Sequence, residues 1–300
     1  MDGCQGIWTQ VAPSASDEGA RLSLAVDPGR AIGRQRAAGG LLLFPATIEL
    51  IAALTRADGV NAVMVRGSAS FHLADNKSDD DVVVVVVPRP GVPFELRPRR
   101  LVLTVPGGPG TRVVCDTTVQ SVASLQRLRQ STSDTDRWPF EQARIIHARD
   151  RRAASAVAQL ASMNAAFRSL RIRHGLLDVV LAANRARTCE ARGQVVESRL
   201  ILSRGARALS RVLFALEWRW VPLDQWLTFG LSTLHDRADC SQLVADVLQE
   251  LSWRPLLEAE RRLRPVLQEL LPSQVWDRPS LWSVLREPGA REQRYTHGLC

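Results

Sequence analysis

Val60-Asn61-Ala62-Val63-Met64-Val65-Arg66-Gly67-Ser68, then ten residues, then Asp79-Asp80-Asp81 and six consecutive valines, Val82 to Val87, is the stretch that sets the fold. Val60–Val65 reads as a strand closed by Arg66-Gly67-Ser68. A run of six valines is β-branched and too short for a long helix, so it reads as a second strand, buried on both faces. Upstream, Pro45 suits a helix's first turn, and Ile48, Ile51, Ala52 and Leu54 recur at helical spacing until Asp58-Gly59. Downstream, Pro88-Arg89-Pro90-Gly91 ends the valine run. Leu101–Val105 and Arg112–Asp116 read as two further strands around a turn at Pro106 to Gly110. Residues 41 to 117 thus hold four strands and an early helix.

Beyond Thr117 the apolar spacing becomes helical, first at Val122, Leu125 and Leu128. Apolar stripes then run through 153–163, 167–191, 195–218, 223–234, 243–251 and 256–271, with Pro222, Pro255 and Pro272 at their borders. The expected organisation is an N-terminal arm (1–40), a sheet-containing domain (41–135), an all-helical bundle (136–272) and a polar C-terminal tail (273–300). The expected class is α+β: a small mixed sheet with flanking helices, followed by an all-α bundle.

Length and composition fit that plan. At roughly 150 residues per domain, 300 residues make about two domains, and 45% hydrophobic with 23% charged residues is globular composition. No run of eighteen apolar residues suggests a membrane helix, and Met1-Asp2-Gly3-Cys4-Gln5 lacks the basic start of a secretory signal. The five cysteines, Cys4, Cys115, Cys189, Cys240 and Cys300, include no CxxC pair. Neither a zinc site nor a disulfide framework is indicated, and a cytoplasmic protein is expected. The net charge of +8 suits an anionic partner such as a nucleotide, a nucleic acid or a membrane surface. Lys77 is the sole lysine, however, and no block of five basic residues occurs, so the charge is spread along the chain.

The chemistry concentrates in Gly67-Ser68, Asp79-Asp80-Asp81 and Asp116. Strand side chains alternate, so Asp79 and Asp81 project together and Asp80 points the other way. Two carboxylates about 6–7 Å apart along a strand can share a pair of metal ions. Asp116, arriving on another strand, completes an acidic site. Like charges at the end of buried strands repel, and a divalent cation removes that penalty; all-oxygen donors suit magnesium. Gly67-Ser68 lets the backbone approach a phosphate and adds a hydroxyl donor. Histidine ligands are not indicated: His147, His174, His235 and His297 have no ligand spacing, and His72 reads as a surface residue near the loop.

These residues together resemble the polymerase-β-like nucleotidyltransferase superfamily. Its pattern is a hydrophobic strand, Gly-Ser, about ten residues, Asp-x-Asp before another hydrophobic strand, and a third acidic residue on a later strand. The match covers residues 45 to 120 and departs at the middle position, usually hydrophobic and here Asp80. Pro222-Leu223-Asp224-Gln225-Trp226-Leu227 is similar to a Pro-x-x-Lys-Trp-Leu segment in small-molecule, antibiotic-type nucleotidyltransferases with a helical C-terminal domain. Gln225 replaces the lysine, and packing equally explains Trp218, Trp220 and Trp226.

The resemblance implies two Mg2+ ions held by Asp79, Asp81 and Asp116. It implies a nucleoside triphosphate co-substrate, expected to be ATP, and transfer of its nucleoside monophosphate to a small hydroxylated acceptor. Some antibiotic-modifying relatives use a glutamate from the helical half as general base, and Glu141, read as starting a helix after Trp138-Pro139-Phe140, is the candidate for that role. Arg204, Arg207 and Arg211, spaced i, i+3 and i+7 on one helix face, are candidates for the phosphates beside Gly67 and Ser68. A nucleic-acid terminal transferase would want a basic groove with stacking aromatics, and aromatics are only 5% with Tyr295 the sole tyrosine. A non-catalytic, antitoxin-like protein of this fold is the remaining alternative. No membrane partner is expected, and a homodimer is left open.

Overall fold

The computed structural model describes residues 9–10, 20–23, 33–87, 99–107 and 110–286. The turn expected at Pro88–Gly91, residues 108–109 of the turn expected at Pro106 to Gly110, and all of the tail beyond Arg286 lie outside the described residues, as do Cys4, Cys300, Tyr295 and His297. The chain is α+β and divides into two compact units. One comprises residues 1–131 and 139–161, the other 132–138 and 162–300.

The first unit is built on strands β1 (Thr9–Gln10), β2 (Ala20–Ser23), β3 (Gln35–Arg36), β4 (Leu42–Leu43), β5 (Val60–Arg66), β6 (Asp80–Val86), β7 (Arg99–Gly107), β8 (Gly110–Ser121) and β9 (Arg144–Ala148). Seven of them form a mixed sheet in the order β1-β2-β7-β8-β6-β5-β9, and β3 and β4 make a separate two-stranded ribbon. Strands β6 and β8 run parallel, as do β2 and β7, while the remaining neighbours are antiparallel.

The valine strand divides its side chains between two cores. Val82, Val84 and Val86 pack on one face with Val63, Val65, Leu101, Leu103, Val114, Cys115 and Val119, beneath Leu50, Ile51 and Leu54 of helix α1 (Pro45–Arg56). Val83 and Val85 face the opposite core with Ala62, Met64 and Phe140, joined there by helices α2 (Val122–Leu128) and α4 (Arg151–Ala161) through Leu125, Ala153, Val157 and Leu160. Period-two alternation in a strand covered on both sides explains why the run needs no polar residue. Between α2 and α4 come the short α3 (Asp134–Arg137) and β9.

Three expectations need correction. Residues 139–161 belong to the sheet unit rather than to a bundle beginning at residue 136, because β9 pairs with β5 (Ala62 opposite Ala148, Val65 opposite Arg144) and α4 packs on the same face. The first forty residues are more than an arm, since β1, β2 and β3 form within them and β2 joins the main sheet beside β7. Strand β8 does not end at Asp116. It continues to Ser121, kept in register with the valine strand as far as Val86.

The helical unit comprises α3, α5 (Ala165–Ala191), α6 (Val195–Leu216), α7 (Leu227–Ser232), α8 (Ser241–Gln249), α9 (Arg254–Leu270) and α10 (Arg278–Ser283). Asn164 caps α5 by accepting from the Phe167 N–H at 2.7 Å. Two small residues set the helix contacts. A β-carbon on Gly175 would meet Val212, and one on Gly205 would meet Leu256 and Ala182. Helix α10 extends order into the expected polar tail, capped by Asp277 and anchored by buried Leu281. Among the described residues no helix is long and apolar enough to cross a membrane.

Candidate active site

Asp81 on β6 stands in register between Arg66 on β5 and Asp116 on β8. Registered neighbours share a face, with backbones about 5 Å apart. The row Arg66–Asp81–Asp116 therefore lies along the end of one sheet face, on the side of Met64, Val83 and Phe140. Arg66 lays its guanidinium 5.0 Å from the centre of the Phe140 ring, which keeps its charge at this end of the sheet.

Asp80 points the other way. It is 0% exposed on the α1 face, where Arg34 Nη1 donates to Oδ1 at 2.7 Å and the Phe44 N–H donates to Oδ2 at 2.9 Å. Burial pushes its carboxyl above the usual range, and the Phe44 N–H, the neighbouring Thr47 hydroxyl and Arg34 pull back. The alternation expected from sequence places Asp80 away from the other two aspartates. Its polar identity, the departure from the family pattern, is met by a buried partner.

Gly67 closes the site from beside β6. Its φ is +67°, and a β-carbon there would sit 2.3 Å from Asp81 Oδ2, so glycine is required both by the backbone and by the carboxylate. The turn after it is tied by the Ser70 N–H and Ser70 Oγ donating to the Gly67 carbonyl at 3.0 and 2.8 Å. Ser68 is partly exposed in this turn.

The electrostatics are lopsided. Asp81 is pushed up to about 6, first by burial, with Arg66 opposing and Asp79, Asp116 and Asp80 adding repulsion. Arg100, from β7, covers Asp116: Nε lies 2.9 Å from both oxygens and Nη2 2.5 Å from Oδ2. Asp116, hydrogen-bonding to it, is the main reason Arg100 holds its proton more tightly than usual, and Asp79 and Asp81 add to this. Among the described residues no three His, Cys, Asp or Glu side chains are drawn together tightly enough to hold a metal ion. The donor set matches a hard divalent cation in kind: carboxylate oxygens, repelling one another, with a glycine cradle against the buried one.

The remaining candidates are distributed as follows. Asp79 precedes β6, partly buried, in the segment between Ser78 and Asp80. Glu141 does not start a helix: it sits in the turn between Phe140 and β9, three residues before Arg144, the partner of Val65. That turn is at the Arg66 end of the sheet. His72 is exposed in the turn after Gly67-Ser68, at a left-handed φ of 59°. Arg204, Arg207 and Arg211 belong to α6 of the helical unit. Arg204 is exposed, Arg207 Nη1 donates to Asp224 Oδ1 at 2.6 Å, and Arg211 Nε lies 3.7 Å from Asp134 Oδ2. Trp220 is buried, stacked on Phe167 at 5.4 Å, whereas Trp218 is half exposed.

Sequence reasoning missed Arg34, Arg66 and Arg100. Arg66 was open to discovery, since it follows the strand directly and shares its alternation with Met64. Arg100 could have been reached by counting back along the hairpin from Pro106 to Gly110. Arg34 carried no signal, because its partner is 46 residues away.

No family model and no curated protein matches the chain. In structure it is similar to a nucleotidyltransferase-like protein from Exiguobacterium sibiricum 255-15, at 14% identity and a TM-score of 0.43, with 84% of this chain and 87% of that one covered.

Proposed function

We propose that the chain is a nucleotidyltransferase that moves a nucleoside monophosphate, AMP being the expected one, from a nucleoside triphosphate to a hydroxyl of a small molecule. The observation that carries this reading is the registered pair Asp81 and Asp116, with the backbone of Gly67 against the Asp81 carboxylate and Ser68 next to it. Asp79, Asp81 and Asp116 would hold Mg2+, which when bound neutralises these carboxylates and the charge developing on the phosphates.

The chain's own groups divide the remaining work. The Ser68 hydroxyl and the turn at Gly67 approach the triphosphate oxygens, where a side chain at position 67 would intrude. Arg100, 66% exposed, offers a mobile positive charge to the same phosphates once it leaves Asp116. Asp116 then takes the proton of the acceptor hydroxyl, with Glu141 the second candidate for that role. The acceptor oxygen bonds to the α-phosphorus, the bond from that phosphorus to the bridging oxygen breaks, and pyrophosphate leaves with the electron pair.

A second reading has a specific observation in its favour. With Arg100 closed on both oxygens of Asp116, the fold is also compatible with a protein that binds partners and catalyses nothing. One experiment separates the two. The chain is incubated with each labelled nucleoside triphosphate, Mg2+ and a panel of hydroxylated metabolites, and pyrophosphate and adducts are followed by mass spectrometry. A product heavier by one nucleotidyl unit, lost in Asp81→Asn, supports transfer. Product formation undiminished in Asp81→Asn and Asp116→Asn rejects the site.

A further inference from the structure

We infer that Arg34 is a positioning residue for the acidic strand, gripping the chain on both sides of Asp79; the inference rests on the reading of Asp79 and Asp81 as cation ligands. Arg34 uses all three guanidinium nitrogens, and three of its four contacts go to residues 75–80. Nε donates to the Asp75 carbonyl at 2.8 Å and Nη2 to the Ser78 carbonyl at 2.8 Å. Nη1 donates to Asp80 Oδ1 at 2.7 Å and to the Leu42 carbonyl at 2.8 Å. The Phe44 ring centre lies 4.4 Å from the guanidinium carbon, so the group is stacked as well as bonded.

Two of these contacts decide the case. Ser78 is the residue before Asp79 and Asp80 the residue after it, and one guanidinium fixes the carbonyl of the first and the carboxylate of the second. The other Asp80 oxygen is taken by the Phe44 N–H. Asp80 is thereby committed to the α1 face. With a two-residue period, fixing Asp80 on that face commits Asp81 to the opposite one, and the hold on the Ser78 carbonyl fixes the backbone on the other side of Asp79. The loop ahead is tightened locally too: Asp75 Oδ1 accepts from the N–H groups of Lys77 and Ser78 and from Ser78 Oγ. Arg34 joins that closed turn to the strand and to the segment entering α1.

A planar fork with five donors can serve four acceptors at once, and a lysine ammonium with three donors on a flexible stem cannot reproduce it. Arg34→Lys therefore keeps the charge against Asp80 and loosens the grip on the backbone. This separates positioning from charge balance. Residues that orient ligands in this way affect metal affinity by about 10- to 100-fold when replaced.

The test uses the full chain with Mn2+ as the probe, its free-ion signal followed by electron paramagnetic resonance, and folding checked by circular dichroism. The wild type is expected to bind Mn2+ and Asp81→Asn to lose it. Arg34→Lys is expected to fold and to bind about 10- to 100-fold more weakly. Its amides at 75–81 should exchange hydrogen faster, while those of Val82–Val86 stay protected. Asp80→Asn, which keeps an acceptor for Arg34, is expected to retain binding better than Asp81→Asn does. Wild-type affinity and unchanged exchange in Arg34→Lys would overturn the role of Arg34, and the site reading would stand on the loss in Asp81→Asn. Mn2+ binding absent from the wild type, or equal in Asp81→Asn, would instead overturn the site reading and the positioning role with it. Full loss in Asp80→Asn alongside wild-type affinity in Arg34→Lys would make Asp80 a ligand and reject the proposal.

Discussion

Arg100 holds both carboxylate oxygens of Asp116, with Nε 2.9 Å from each, although the two residues sit on different strands and Arg100 is itself opposite Thr118. The contact is diagonal across the β7–β8 pair. It puts a solvent-exposed cation where Asp79, Asp81 and Asp116 repel one another, and so partly neutralises them, the role given to a divalent cation in the proposed function.

Arg100→Gln should therefore strengthen divalent-cation binding. Arg100 is largely exposed, so its interaction with Asp116 is screened and worth about 1 kcal/mol or less. Removing a competing charge of that strength is expected to raise Mn2+ affinity about three- to fivefold, read by titration at low ionic strength, and less so in high salt. If Arg100 also serves the triphosphate, KM for the nucleotide rises in the same variant. Weaker Mn2+ binding in Arg100→Gln would mean that Arg100 organises Asp116 rather than competing for it.

The raised pKa of Asp81 gives a pH signature to the metal-free protein. An unfolded aspartate titrates near 3.8 and folded Asp81 near 6, so the native state binds its proton more tightly. The associated stability is full below about pH 4 and is lost as pH rises through 6, on the order of 2–3 kcal/mol by pH 8. Asp81→Asn, which mimics the neutral form, should be more stable than wild type at pH 8 in EDTA and no more stable at pH 4. Denaturant titrations at both pH values check this. Added Mg2+ should stabilise the wild type chiefly above pH 6, where protons no longer compete for the carboxylate.

Much of this arrangement was legible because its signals are local. Alternation across Asp80-Asp81, the valine run and the turn at Gly67-Ser68 each act over a few residues, and each sits where such patterns put it. The parts that were not legible depend on distant pairing. Arg144-Ile145-Ile146-His147-Ala148 forms a strand only because β5 offers it an edge, and its surroundings are otherwise rich in helical spacing. The continuation of β8 beyond Asp116 follows from its parallel match to the valines, residue for residue, since Thr117, Thr118 and Gln120 are not strongly apolar. Asp80 looked like a flaw in a ligand motif until Arg34, Phe44 and the burial of the α1 face supplied its partners.

Gly67→Ala separates strain from crowding. The left-handed backbone costs a non-glycine residue about 1–2 kcal/mol, and Gly193, at a φ of +70° with nothing within 4 Å of an added β-carbon, measures that cost alone. Gly67→Ala adds a clash with a carboxylate that can rotate away, so its stability should fall only somewhat further than that of Gly193→Ala. Displacing Asp81 is expected to reduce nucleotidyl transfer and Mn2+ affinity by more than tenfold, while Gly193→Ala leaves both near wild type. Equal effects of the two substitutions on Mn2+ affinity would show that the close approach of Gly67 to Asp81 has no functional role.

In the helical unit, Arg171 and Asp134 form a buried ion pair, with Arg171 fully enclosed and its guanidinium near the Phe167 and Trp220 rings at 5.5 and 5.4 Å. Asp134 also accepts the Val221 N–H at 2.9 Å, so the carboxylate cannot turn out to solvent without breaking a second contact. Arg171→Met should cost about 3–5 kcal/mol, because it leaves the carboxylate buried without its closest cation. Arg211, 3.7 Å away, is too distant to replace the lost hydrogen bond. Adding Asp134→Asn, which still accepts from Val221, should restore at least half of that loss in urea unfolding of the full chain. A double variant no more stable than Arg171→Met would place the cost in lost packing against the two rings rather than in the stranded charge.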